Sequence, residues 1–140
     1  LERLPCPAVF PVHPRTRNRL RDTGLLERLE RAPSVTLTAP VGYLDLLKLA
    51  MHATHVITDS GGLQKEAYVL GVPCITLRDR TEWVETVEVG WNRLVDLDAD
   101  AALAALDTPV PDERPDLYGE GRAAERIRAV LNGVESLTSS

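Results

Sequence analysis

Three observations predict an α/β fold, a Rossmann-like parallel sheet with helices on both faces. Apolar β-prone runs alternate with helix-period runs in units of about 20 residues. No hairpin dipeptide joins two strand-like runs, so successive strands need crossover helices and lie parallel. One stretch, His55-Val56-Ile57-Thr58-Asp59-Ser60-Gly61-Gly62-Leu63-Gln64-Lys65-Glu66-Ala67, passes from β-prone residues through a Gly-bearing turn into Leu63, Ala67 and Leu70 at helical spacing. Right-handed crossovers then bring every strand's C-terminal end to one edge, where ligands of such sheets bind.

Taken in order, Ala8-Val9-Phe10-Pro11-Val12 reads as a short buried strand ending at His13-Pro14. Arg15, Arg17, Arg19 and Arg21 follow, with Leu20 and Leu25 on a helix. These arginines stand where sheet ligands bind and equally suit a solvated helix face, and spacing leaves both open. His13 sits at the strand tip itself. Residues 34–38 form a second strand stopped by Pro40, then a helix with Val41, Leu44, Leu47 and Met51 on its buried face. A strand over 54–58 feeds a helix over 61–70, which Gly71 ends as a left-handed cap. Residues 73–77 form a further strand and open onto Arg78-Asp79-Arg80-Thr81-Glu82. Asp79 and Glu82 have capping-box spacing, while an arginine at a strand tip forks readily onto phosphate oxygens. A helix to about Gly90 turns Trp83, Val84 and Val87 inward. Residues 92–95 make a strand and 98–106 an Ala-rich helix. A Pro-bearing loop then leads to Tyr118-Gly119-Glu120-Gly121 and a last helix with Ala123, Ile127, Val130 and Leu131. Residues 1–132 are expected to form one domain and 133–140 a disordered tail.

Composition narrows the classes. With 140 residues, 44% hydrophobic and 26% charged, the chain is one ordinary globular domain. A net charge of -5 disfavours nonspecific nucleic-acid binding, which wants a basic face. No apolar run approaches the roughly 20 residues that span a bilayer, so no membrane association is expected. Cys6 and Cys74 are far apart and make no metal or redox pair, so reduced thiols in a cytoplasmic protein and no structural zinc are expected.

The turn at Ser60 carries the chemistry. A helix beginning there presents free amides and the positive end of its dipole, a ready seat for phosphate. Gly61 and Gly62 let a ligand reach the backbone. Ser60 is an N-cap or a hydroxyl donor to phosphate. Glu66, one turn beyond Gly62, suits a vicinal diol one sugar away. His13, the turn and the Arg78-Thr81-Glu82 cluster all fall on the same sheet edge, the layout of a nucleotide site.

Four blocks also resemble the non-hydrolysing UDP-N-acetylglucosamine 2-epimerases: residues 10–14, 58–67, 78–85 and 118–123. The resemblance covers nearly the whole chain, in order. It implies the C-terminal nucleotide-binding domain of a two-domain GT-B enzyme that interconverts UDP-GlcNAc and UDP-ManNAc. The implied route eliminates UDP to a 2-acetamidoglucal and adds it back. By the same resemblance Ser60, Gly61 and Gly62 hold the diphosphate, and Glu66 the ribose. His13 and Arg78 act on the diphosphate as catalytic groups, Tyr43 and Leu46 lie by the uracil, and Thr81, Glu82, Tyr118 and Gly119 line the cleft. No cofactor or metal is implied. A homodimer through the other domain and a role in cell-surface polysaccharide synthesis are. The chain departs from the family pattern in Lys65, expected to be an exposed change, and in lacking the first strand of the domain and the N-terminal acids that handle the C2 proton. Two alternatives remain: a GT-B glycosyltransferase sharing this cradle, and a stand-alone nucleotide-binding module.

Overall fold

Strands β1 (Ala8–Pro11) and β2 (Val35–Thr38) pair in parallel, as do β3 (Val56–Thr58), β4 (Cys74–Thr76) and β5 (Asn92–Leu94) in that order. The computed structural model describes the backbone of residues 1–119 and 121–138 and the side chains of those up to 132. The connecting helices are α1 (Pro14–Asp22), α2 (Leu25–Arg31), α3 (Tyr43–Met51), α4 (Gly61–Leu70), α5 (Val84–Glu88) and α6 (Ala99–Leu106), with α7 (Ala123–Thr138) last. Where a disordered tail is expected over 133–140, the backbone continues as α7 through Thr138, and residues 139 and 140 lie outside the described residues. No helix among the described residues is long and apolar enough to cross a membrane.

Parallel strands joined by helices are as expected, and they form two sheets, as expected of a doubly wound sheet whose central first strand is absent from the chain. Among the described residues, β1 pairs only with β2, and β3 only with β4. In the three-stranded sheet the register sorts side chains into two layers. Val56 opposes Cys74, and both join Ala50, Ala67 and Val72 under α3 and α4. Ile57 opposes Ile75, which packs with Val95 and Ala105 under α6. Helices therefore cover both faces here. The β1–β2 pair is covered on one face by Leu26 and Leu29 of α2, while Val9 on the other is 52% exposed. The buried strand expected at 8–12 is thus only half-buried, apart from Val12.

Other expectations are corrected by packing. Gly24, at φ 70, breaks the first helix in two, so Leu25 opens α2 instead of extending α1. The inward residues of α3 are Leu46, Leu47 and Ala50, whereas Leu44 and Met51 stand exposed. Nearly every position of that helix is apolar, so contact with α4 decides the face and periodicity cannot. Val84 is exposed and Thr86 buried on α5, because the Thr86 hydroxyl joins a polar network. The capping box is absent: α5 begins after Trp83 with no side-chain cap. Gly71 at φ 73 ends α4 in the expected left-handed conformation.

Candidate functional site

The site is built where β3 runs into α4. Ser60 is the N-cap, its hydroxyl accepting from the Leu63 amide at 3.5 Å while its carbonyl takes the Gln64 amide. Thr58 Oγ1 fixes the Ser60 amide at 3.0 Å. That leaves the amides of Gly61 and Gly62, at the positive end of the helix, without an acceptor among the described residues. Arg78, at the tip of the next strand, stands beside this turn. Its Nη1 lies 3.8 Å from where a Gly61 Cβ would be. The exposed end of the helix and the Arg78 guanidinium therefore stand side by side, and Glu82 lies against both. The Arg78 guanidinium holds the Glu82 carboxyl below the usual carboxylate range, and Glu82 raises Arg78 in turn.

One helical turn further, Glu66 is half-buried and meets Tyr43 at the start of α3. The Glu66 carboxylate, within reach of the Tyr43 phenol as an acceptor, raises its pKa above the ordinary phenol value, with burial adding to the effect. Acid and aromatic ring thus stand together beside the anion seat, with Leu46 behind Tyr43 on the same helix. The arrangement suits a diphosphate at the turn, a diol at Glu66 and a flat base against α3.

A sequence profile described as UDP-N-acetylglucosamine 2-epimerase matches residues 1–132. The chain belongs to that family. A relative from Methanocaldococcus jannaschii, named UDP-N-acetylglucosamine 2-epimerase, is 42% identical over 125 residues, 88% of this chain and 34% of its own. Another, from Pseudomonas aeruginosa, is named UDP-2,3-diacetamido-2,3-dideoxy-D-glucuronate 2-epimerase and is 44% identical over 129 residues, 89% of this chain and 34% of its own. The solved UDP-GlcNAc 2-epimerase of M. jannaschii superposes with a TM-score of 0.82 at 41% identity, over 90% of this chain and 36% of that one. A crystal structure of the M. jannaschii enzyme in complex with UDP-GlcNAc and UDP gives 0.76 at 42% identity, over 90% and 35%. The α/β fold is that of the GT-B UDP-GlcNAc 2-epimerases over the matched part. The chain spans about a third of the length of these relatives.

Not every candidate residue joins the cluster of this epimerase-family chain. His13 is exposed at the end of β1 and caps α1, its Nδ1 accepting from the Arg15 amide at 3.3 Å. Among the described residues no hydrogen bond or ion pair links it to the turn. Arg17, half-buried, pairs with Glu30 of α2, and exposed Arg21 bonds Asn18 on α1 itself. Thr81 faces inward, donating to Gln64 Oε1 at 2.6 Å and accepting the Trp83 amide at 3.0 Å. Tyr118 donates to Glu85 at 2.9 Å, and burial, then Glu85, raises its pKa. Gly119 is buried, with its amide on Asp116.

Several site-building residues escape sequence reasoning. Gln64 is fully buried, and with Ala67 and Tyr68 it forms the inner stripe of α4, with Leu63 and Leu70 at its flanks. Its Oε1 accepts from Thr81 and Asn92, and Asn92 also bonds Thr76 and Thr86. Trp83 donates its indole N–H to Gly61 O at 2.7 Å, tying the 79–83 loop to the first turn of α4. Lys65, expected to be exposed, instead lays its ammonium 4.6 Å from the Trp83 ring centre and 4.5 Å from that of Tyr118. The one available signal was polar Gln64 standing four residues after Ser60.

Proposed function

We propose that this chain is the UDP-binding half of an enzyme that interconverts UDP-GlcNAc and UDP-ManNAc. The observation that carries it is Arg78 standing beside the Gly61-Gly62 start of α4, one helical turn from the Glu66–Tyr43 pair. That spacing fits diphosphate followed by ribose and base, and the similar M. jannaschii enzyme is known in complex with UDP-GlcNAc and UDP. Ser60, Gly61, Gly62 and Arg78 then hold the diphosphate, Glu66 the ribose, and Tyr43 and Leu46 flank the uracil. His13 and Glu82 border the cleft, while Thr81, Tyr118 and Gly119 support its wall from behind.

In the forward reaction a base removes the proton at C2 of the sugar. The C1–O bond breaks, its electron pair leaves on the β-phosphate oxygen, and a C1=C2 double bond forms. UDP then adds back at C1 as a proton arrives at C2 from the opposite face. Negative charge grows on departing UDP, and preorganised amides and a guanidinium act where that charge develops. The acids serving C2 belong to the part of the enzyme that this chain does not span. The same reading includes a homodimer, a cytoplasmic setting and a product consumed in cell-surface polymer synthesis.

Incubating the full-length protein with UDP-GlcNAc alone tests the reaction. An epimerase yields UDP-ManNAc without an acceptor, whereas a GT-B glycosyltransferase yields none and a hydrolysing relative releases free ManNAc and UDP. Similarity to the P. aeruginosa relative favours adding UDP-2,3-diacetamido-2,3-dideoxy-D-glucuronate as a second substrate. Glu66→Ala and Arg78→Ala should each weaken UDP binding about 10- to 100-fold, the worth of a hydrogen bond to a charged group. Unchanged affinity in both variants removes the proposed site.

A further inference from the structure

Arg78 is already held by an anion of its own chain. Its Nη1 and Nη2 donate to both oxygens of Glu82, at 3.1 and 2.9 Å, so the fork suited to phosphate is occupied. The same carboxylate lies on the α4 turn, where a Cβ on Gly61 would meet Glu82 Oε2 at 3.2 Å. Glu82 thus places negative charge at the positive end of a helix and on the adjacent guanidinium. Those are the two attractions a diphosphate would use.

The backbone on either side of Glu82 is pinned. Thr81 donates to buried Gln64, and Trp83 donates to Gly61 O. The Glu82 side chain is the loose member, 60% exposed against 32% for Arg78. It reaches solvent by changing rotamer, with the loop unmoved. The pair is bidentate, but solvent reaches its Glu82 side, so the more highly charged diphosphate can displace the carboxylate.

We infer that Glu82 is a competing anion. It occupies Arg78 and the mouth of the α4 turn in the free protein and yields to the diphosphate of the ligand, thereby tuning the affinity of the site. This rests on the diphosphate reading above and deepens it. The Glu82→Gln change keeps the side chain's size and removes its charge, leaving Thr81 and Trp83 in place. Calorimetric titration of the full-length protein with UDP, and separately with inorganic pyrophosphate, should show both binding roughly two- to fivefold more tightly in E82Q, the range of one exposed ion pair. Most of that gain should disappear when E82Q is combined with Arg78→Ala. A residue that merely braces Arg78 would give the opposite sign, because its loss loosens the guanidinium. Equal or weaker affinity in E82Q, with the wild type binding UDP, overturns the competing role and leaves the nucleotide site standing. If the wild type binds neither probe, both readings fall.

Discussion

Cys74 shows how strongly a single position is set by its surroundings. It lies on β4 at 2% exposure, and burial pushes its thiol up to about 11. Since the thiolate is the reactive form, a thiol reagent at pH 8 should label half-buried Cys6 in the native protein and spare Cys74. Adding denaturant should release the second thiol, and equal labelling without it would contradict the packing of β4. The sign of the linked stability follows. A folded-state value above the ordinary 9.0 means that the contribution is full below pH 9 and is lost as pH rises through about 11. At this scale the sequence was most informative where chemistry is local. The N-cap Ser60, the Gly61-Gly62 amides and the left-handed Gly71 each follow from one residue type and its immediate neighbours. Glu66 and Tyr43 are different: they stand on separate helices, and only packing of α3 on α4 brings phenol to carboxylate.

Most strands and helices were legible to within a residue or two at their ends, because apolar runs and Gly or Pro stops mark them; the exceptions are the first helix, which Gly24 divides, and α7, which runs on to Thr138. Which face each helix buries was less so. α3 offers apolar side chains all round, and α5 hides a threonine while showing a valine, since the network at Asn92 outranks the transfer of Val84 from water. That network joins positions 64, 76, 81, 86 and 92, residues from α4, β4, a loop, α5 and β5 that share no sequence pattern. Asn92 is its hub: its Oδ1 accepts from Thr76 at 2.7 Å, and its Nδ2 donates to Gln64 at 3.1 Å and Thr86 at 3.2 Å. Truncation strands buried partners and leaves a hole, so Asn92→Ala should lower unfolding stability by about 2–4 kcal/mol in urea. Val84→Ala on exposed α5 surface should stay within about 0.5 kcal/mol. A loss in N92A no larger than in V84A would mean that the hydrogen bonds hold nothing the fold depends on.

Across this chain, which spans about a third of its relatives' length, the division into two sheets sets where stability resides. Ile75 is 1% exposed in the three-stranded sheet, and layers of helix close over both of its faces. The β1–β2 pair leans on α2 alone and shows Val9 to solvent on its far side. Sheets with one covered face bury less apolar area per strand and open at lower free energy. Native-state hydrogen exchange should therefore find the slowest amides in β3, β4 and β5, and those of β1 and β2 exchanging through smaller openings. The anion seat lies at the tips of β3 and β4, on the stable side of that boundary, so its geometry is preset before a ligand arrives. Saturation with UDP should slow exchange further around residues 60–66 and 78–83 and leave β1 and β2 nearly unchanged, because ligand binding stabilises the states that hold it. Uniform protection of all five strands, or slowing centred on β1, would show that the two sheets open as one unit and that the ligand is gripped elsewhere.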